Sequence, residues 1–273
     1  MKNQEYLKIG GKKTYTVNYP NQDALAVILF VHGLGEHIDR YERFAVEMRT
    51  HRFAIYGFDN FGHGKTKGIR GNTSVEDSFK IIDYMVQKIR RENPKLPIGI
   101  FGHSLGGLIT LRYLEDHSDI FYAAVVSSPA IVVDEETRKK MEKNASIAKL
   151  IPFITLNNAI RQEDISRNRN EVIEYSRDTL VHPRVSLKLA LSIHNNVKKV
   201  KDNASSIMTP IMFQKGTGDH VVPLEGTDEF FGAIGSEKKI LCKYNDAFHE
   251  TIYDPEHGEQ FRQDIIGWFR SNI

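Results

Sequence analysis

The chain has 273 residues, of which 37 are Lys or Arg and 35 Asp or Glu, giving a formal net charge of +2 with 40% apolar residues. That balance suits one globular α/β domain, and the scattered basic residues exclude a nucleic-acid footprint. One cysteine, Cys242, excludes an internal disulfide, and the longest apolar run, residues 24–31, is far too short to span a membrane.

The N-terminal stretch Met-Lys-Asn-Gln-Glu lacks the apolar core of a signal peptide, so a cytoplasmic setting is expected. Residues 24–31 read as a buried strand that ends in His32-Gly33-Leu34-Gly35, and residues 40–48 as a helix. Residues 53–58 form a second strand, followed by Asp59 and the turn Gly62-His63-Gly64. Ser74-x-x-Asp77 is a capping box, and its helix carries Phe79, Ile82, Val86 and Ile89 on one face until Asn93-Pro94 stops it. Residues 98–101 are a short apolar strand, and residues 105–114 a helix with Leu108, Leu111 and Leu114 spaced by three. Further strands are expected at 123–126, 207–214 and 239–243, and a last amphipathic helix at 259–269.

Strands alternating with helices predict a mostly parallel sheet covered by helices on both faces. The alternation lapses once, between Ala130 and Ser206, over a stretch too long for a bare loop. We read a single domain, 1–273, with an inserted helical cap at about 131–206. Its apolar island, Ile147, Leu150, Ile151, Phe153, Ile154 and Leu156, suits an acyl channel, a membrane-resting face or a plain cap core.

Gly102-x-Ser104-x-Gly106 lies between the strand at 98–101 and the helix at 105–114. This is the address of a nucleophile elbow, where a sharp turn presents a serine and leaves no room for a Cβ at the glycines. Chance supplies roughly 0.08 such matches in a chain of this composition, so the flanking strand and helix decide. A serine hydroxyl needs a base, and the base needs an orienting acid; in elbow hydrolases these follow in the order acid, then histidine. Asp219 ends the strand at 207–214 and its glycine-rich turn, at the carboxyl edge where open α/β sheets place their sites. Asp202 precedes that strand, and Asp246 is too close to the best histidine. His249 follows the strand at 239–243 and precedes the last helix, whereas His220 adjoins Asp219 and His257 lies in a polar stretch. Backbone donors for an oxyanion are expected at Leu105, where the helix starts, and at Leu34, between Gly33 and Gly35. Gly64-Lys65-Thr66 has the ending of a phosphate-binding loop, but the first glycine of that motif would fall on Asp59. The eleven histidines show no clustered ligand spacing, so neither a metal nor a cofactor is expected.

His32-Gly33-Leu34-Gly35-Glu36-His37, Arg40-Tyr41, Asp59…Gly62-His63-Gly64 and Gly102-His103-Ser104-Leu105-Gly106-Gly107 together resemble the monoacylglycerol lipase and lysophospholipase-like group of α/β-hydrolases. So do Ser166-Arg167-Asn168…Tyr175-Ser176-Arg177-Asp178 and His182-Pro183-Arg184-Val185-Ser186 in the cap. The resemblance implies the α/β-hydrolase fold, Ser104, Asp219 and His249 as triad, Leu34 and Leu105 as oxyanion donors, and Glu36 and Arg40 at the polar, glycerol-receiving end of the pocket. It also implies an ester hydrolase cleaving monoacylglycerols to fatty acid and glycerol. A lysophospholipase, a short-chain carboxylesterase, a peptidase and a non-catalytic binding protein remain as alternatives. The expected partner is a small lipid ester, with peripheral membrane contact through the cap. One departure stands out: where some members carry a histidine three residues after the catalytic one, this chain has Ile252.

Overall fold

The computed structural model describes residues 1–132, 139, 146, 148 and 150–273. Much of the first part of the expected cap, Ile147 included, lies outside the described residues. The centre of the fold is a strand, β3 (Ala26–Val31), buried at every position. Its side chains alternate between two apolar layers, as the pleat requires. Val27, Leu29 and Val31 join one layer; Ala26, Ile28 and Phe30 join the other.

Around it lie β1 (Asn3–Ile9), β2 (Lys12–Tyr19), β4 (Phe53–Phe58), β5 (Ile98–His103), β6 (Ala124–Ser127), β9 (Ile211–Gly216) and β10 (Lys239–Tyr244). The sheet order is β1-β2-β4-β3-β5-β6-β9-β10. Only β2 runs against both its neighbours; β4, β3, β5, β6, β9 and β10 are parallel. Helices α2 (Val75–Glu92) and α3 (Leu105–Asp116) pack on the first layer through Ile82, Val86, Leu108 and Leu111. Helices α1 (Glu42–Thr50) and α7 (Gly258–Ser271) pack on the second through Phe44, Met48, Phe261 and Phe269. Both faces of the sheet are therefore covered, which is why the parallel strands read as unbroken apolar runs. The chain leaves β3 toward β4 and then crosses back to β5 on β3's other side. This reversal of strand order opens a crevice at the carboxyl ends of β3 and β5.

Some expectations change in detail. The N-terminal hairpin β1–β2 was not foreseen; it turns on Gly10 and Gly11, whose φ values of 55° and 79° only glycine adopts freely. The helix expected at 40–48 is a tight turn at Ile38–Tyr41 leading into α1. The strand expected from residue 207 begins at Ile211, because a helical turn at Ala204–Ser206 and then Pro210 come first. The stop of α2 at Asn93 and its start at Ser74, whose hydroxyl accepts the Asp77 N–H, match the capping reading.

The insert between β6 and β9 contains α4 (Arg169–Arg177), α5 (Leu187–Asp202) and α6 follows later at Thr227–Ala233. It also holds a short antiparallel pair, β7 (Thr155–Asn157) with β8 (Arg184–Ser186), which the periodicity did not reveal. Helix α5 sends Leu189, Val197 and Val200 into the same layer as α2 and α3. In the apolar island, Leu150 is 80% and Phe153 52% exposed, so its described members face outward rather than forming a cap core.

Candidate active site

Ser104 sits between β5 and α3 with φ of 54° and ψ of −116°, a strained conformation for a residue with a side chain. The neighbouring backbone enforces it. The Ser104 N–H donates to the Ser127 carbonyl at 2.9 Å, and its own carbonyl accepts from Ala130 N–H at 3.0 Å. A Cβ at Gly102 would run into the Gly106 carbonyl oxygen and Thr110 Oγ1, and one at Gly106 into the Val31 carbonyl oxygen. The two glycines are thus required by close packing of β5, α3 and the end of β3.

The loop after β3 is pinned beside the serine. His32 Nδ1 lies 2.8 Å from the Gly33 carbonyl oxygen, and its Nε2 accepts the Asn60 N–H at 2.9 Å. Gly33 N–H donates to Glu36 Oε1, and a Cβ on Gly33 would lie 3.1 Å from Ser104 Cβ. Leu34 follows directly, and Leu105 opens α3, so the two expected backbone donors flank Ser104.

Asp219 and His249 come together although 30 residues apart: His249 Nδ1 is 2.9 Å from Asp219 Oδ2, with both side chains buried. Asp219 Oδ1 accepts from the Val221 and Val222 N–H groups at 2.8 and 2.9 Å. Burial opposes ionisation of Asp219, but His249 and then Lys215 outweigh it and hold the carboxyl well below the usual carboxylate range. With its Nδ1 engaged by a carboxylate, His249 lines a small cavity together with Ser104, Gly33, Leu34 and His103. The His103 ring lies 4.8 Å from that of His249; burial first, then the neighbouring imidazole, push it down to about 4.

Glu36 and Arg40 form a buried network rather than an isolated pair. Arg40 Nη1 bonds Glu36 Oε2 at 2.8 Å, while its two terminal nitrogens grip both oxygens of Glu250 at 2.6 and 2.8 Å. The guanidinium lies over the Tyr175 ring of α4, and Tyr41 Oη donates to Glu36 Oε1 at 2.7 Å. Burial would raise the Glu36 carboxyl, yet Arg40, the nearby imidazoles and Tyr41 hold it down at about 2. This network borders a cavity of about 320 Å³ walled also by Asp178, Thr251, Ile252 and Tyr253. Glu36, His103 and Glu250 line both this cavity and the small one at Ser104.

Sequence reasoning brought Ser104, Asp219, His249, Leu34, Leu105, Glu36 and Arg40 to one place, and the structure does so too. It missed Glu250, Tyr175, Tyr41 and Lys215. For Glu250, adjacency to His249 was the available signal, and for Tyr41 and Tyr175 their place in the motifs that carry the resemblance; Lys215 carries none that separates it from an ordinary surface residue.

A family model, Hydrolase_4, described as serine aminopeptidase, S33, matches residues 22–256. The crystal structure of a monoacylglycerol lipase from Paleococcus ferrophilus is 33% identical, with a TM-score of 0.88 over 95% of this chain and 99% of that one. Monoglyceride lipase of Rattus norvegicus is 27% identical over 263 residues, 93% of this chain and 85% of that protein. An uncharacterized abhydrolase domain-containing protein of Dictyostelium discoideum is 28% identical over 258 residues, of which this chain spans only 27% of the length.

Proposed function

The chain belongs to the Hydrolase_4 family of α/β-hydrolases, within its monoglyceride lipase-like serine hydrolases, and from that membership we propose that it cleaves monoacylglycerols to fatty acid and glycerol. The observation that carries the proposal is the buried Asp219–His249 pair at 2.9 Å, whose histidine shares a cavity with a serine on a strained elbow. In this reading Nε2 of His249 takes the Ser104 proton as Oγ attacks the ester carbonyl. The Leu34 and Leu105 N–H groups hold the oxyanion, each worth roughly 3 kcal/mol in the transition state. His249 then protonates the departing glycerol oxygen, and the same base activates water to hydrolyse the acyl-enzyme.

The cavity beyond Glu36, Arg40 and Glu250 suits a hydroxylated leaving group, because it shares Glu36, His103 and Glu250 with the cavity at Ser104 and carries fixed charged donors and acceptors in its wall. Ile252 in its wall favours the second reading, a lysophospholipase or short-chain carboxylesterase, since it offers no hydrogen bond to a glycerol. The same proposal takes the chain as one domain with a cap at about 131–206, working in the cytoplasm. Among the described residues no helix is long and apolar enough to cross a membrane. The outward-facing Leu150, Phe153 and Leu156 would rest on the lipid surface that holds the substrate.

A panel of monoacylglycerols, lysophospholipids, nitrophenyl esters and aminoacyl amides tests this. We expect the highest kcat/KM on monoacylglycerols; a preference for amides would overturn the esterase reading, and a preference for lysophospholipids or short acyl chains would select the second one.

A further inference from the structure

Lys215 stands near the end of β9 and is 1% exposed, among the most thoroughly buried large side chains of the protein. Its ammonium nitrogen lies 2.6 Å from Asp219 Oδ2 and 2.6 Å from the Val222 carbonyl oxygen. A lysine in the interior carries a heavy desolvation cost, and an apolar side chain of similar length would serve packing better. The cost is met here by two acceptors, one of which is the carboxylate oxygen that also receives His249 Nδ1. Asp219 therefore holds four donors: two backbone N–H groups, the ammonium and the imidazole. Three of the four stay in place whatever His249 does, so the carboxylate keeps its aim through the catalytic cycle.

The ammonium also has an electrostatic effect on the base. Sharing one oxygen keeps Nζ and the imidazole within the ~4–6 Å range over which a charge moves a titration. A cation on the oxygen that also receives His249 Nδ1 offsets part of the carboxylate's charge at the imidazole. Other charges facing the pair are His103 at the end of β5, Glu36 after β3, Arg40 ahead of α1, Glu250 beside His249, and His220 and Glu225 after β9. None of these contacts the shared oxygen.

We propose that Lys215 is a positioning residue for the Asp219–His249 pair: its buried ammonium locks the carboxylate and offsets its charge, extending activity to lower pH. The proposal rests on the serine-hydrolase reading above.

The test is the pH dependence of Ser104 modification by a fluorophosphonate, which needs no natural substrate, in the unmodified protein and in Lys215→Met, Lys215→Gln and Lys215→Arg. Near-UV circular dichroism identifies the variants that fold. The acid limb of the rate profile should move up by about one pH unit or more in the uncharged variants and return toward the original position in Lys215→Arg. A limb that stays in place while only rate or melting temperature falls would assign Lys215 a purely structural role and overturn the proposal. Nitrogen-15 NMR of the unmodified protein gives a second readout independent of any variant. A protonated Lys215 Nζ at about pH 7 supports the proposal, and a neutral amine there overturns it. Failure to modify Ser104 in the unmodified protein would instead defeat the serine-hydrolase reading and this proposal with it.

Discussion

Glu36 serves two structures with one carboxylate: it accepts the Gly33 N–H that shapes the loop beside Ser104, and it pairs with Arg40. Held at about 2 in the folded protein against 4.5 for an ordinary glutamate, the ionised form favours folding. That stability is complete above about pH 4.5 and is lost as the pH falls through the folded value near 2. Denaturant unfolding followed from about pH 6 to pH 2 should therefore fall more steeply in the unmodified protein than in Glu36→Gln. Parallel curves would show that Glu36 is not the group responsible. The proposed catalytic residues stand out in the sequence at this scale because each follows a strand in the order the chemistry needs. Lys215 was not, because a lysine in Ile-Met-Phe-Gln-Lys-Gly reads as a strand's solvent-facing charge; only the fold reveals the carboxylate four residues on.

Helix α4, in the insert between β6 and β9, is fastened to the rest of the chain by specific polar contacts. Arg167, just before it, grips both oxygens of Asp254 at 2.7 and 2.8 Å, and Asn168 donates to the Tyr253 carbonyl at 2.9 Å. Arg43 pairs with Glu171 at 2.6 Å, and His37 Nε2 lies 2.7 Å from Asp178 Oδ2. Since Tyr175 of this helix covers Arg40, loosening α4 exposes the polar network next to Ser104. Arg167→Ala should raise amide hydrogen exchange across Arg169–Arg177 roughly tenfold while leaving β3 and β5 protected. Equal exchange in variant and parent would mean that Arg167 is not a latch. Elements of this kind differ in how far sequence reveals them. β3, β4, β5 and β6 were readable because strands buried on both faces leave nearly continuous apolar runs. The edge hairpin β1–β2 carries Lys12, Thr14, Thr16 and Asn18 among its apolar residues, and the Gly10-Gly11 turn was its one clear signal. The β7–β8 pair joins segments separated by α4, a contact that no local periodicity encodes.

Across the whole molecule, the parallel sheet brings the ends of β3, β5, β9 and β10 to one edge, and with them the loop of Gly33 and Leu34, Ser104, Asp219 and His249. Two apolar layers pack on the two faces of the sheet behind that edge, and Ile160, Ile165 and Tyr175 of the insert between β6 and β9 line the cavity at Ser104. The most direct measurement of the central claim is stoichiometric labelling with a fluorophosphonate, the modified residue located by peptide mass spectrometry. We predict one adduct per chain, on Ser104, formed at least about a thousandfold more slowly in His249→Ala and absent in Ser104→Ala. No adduct on the folded protein, or an adduct that persists in Ser104→Ala, would contradict the assignment.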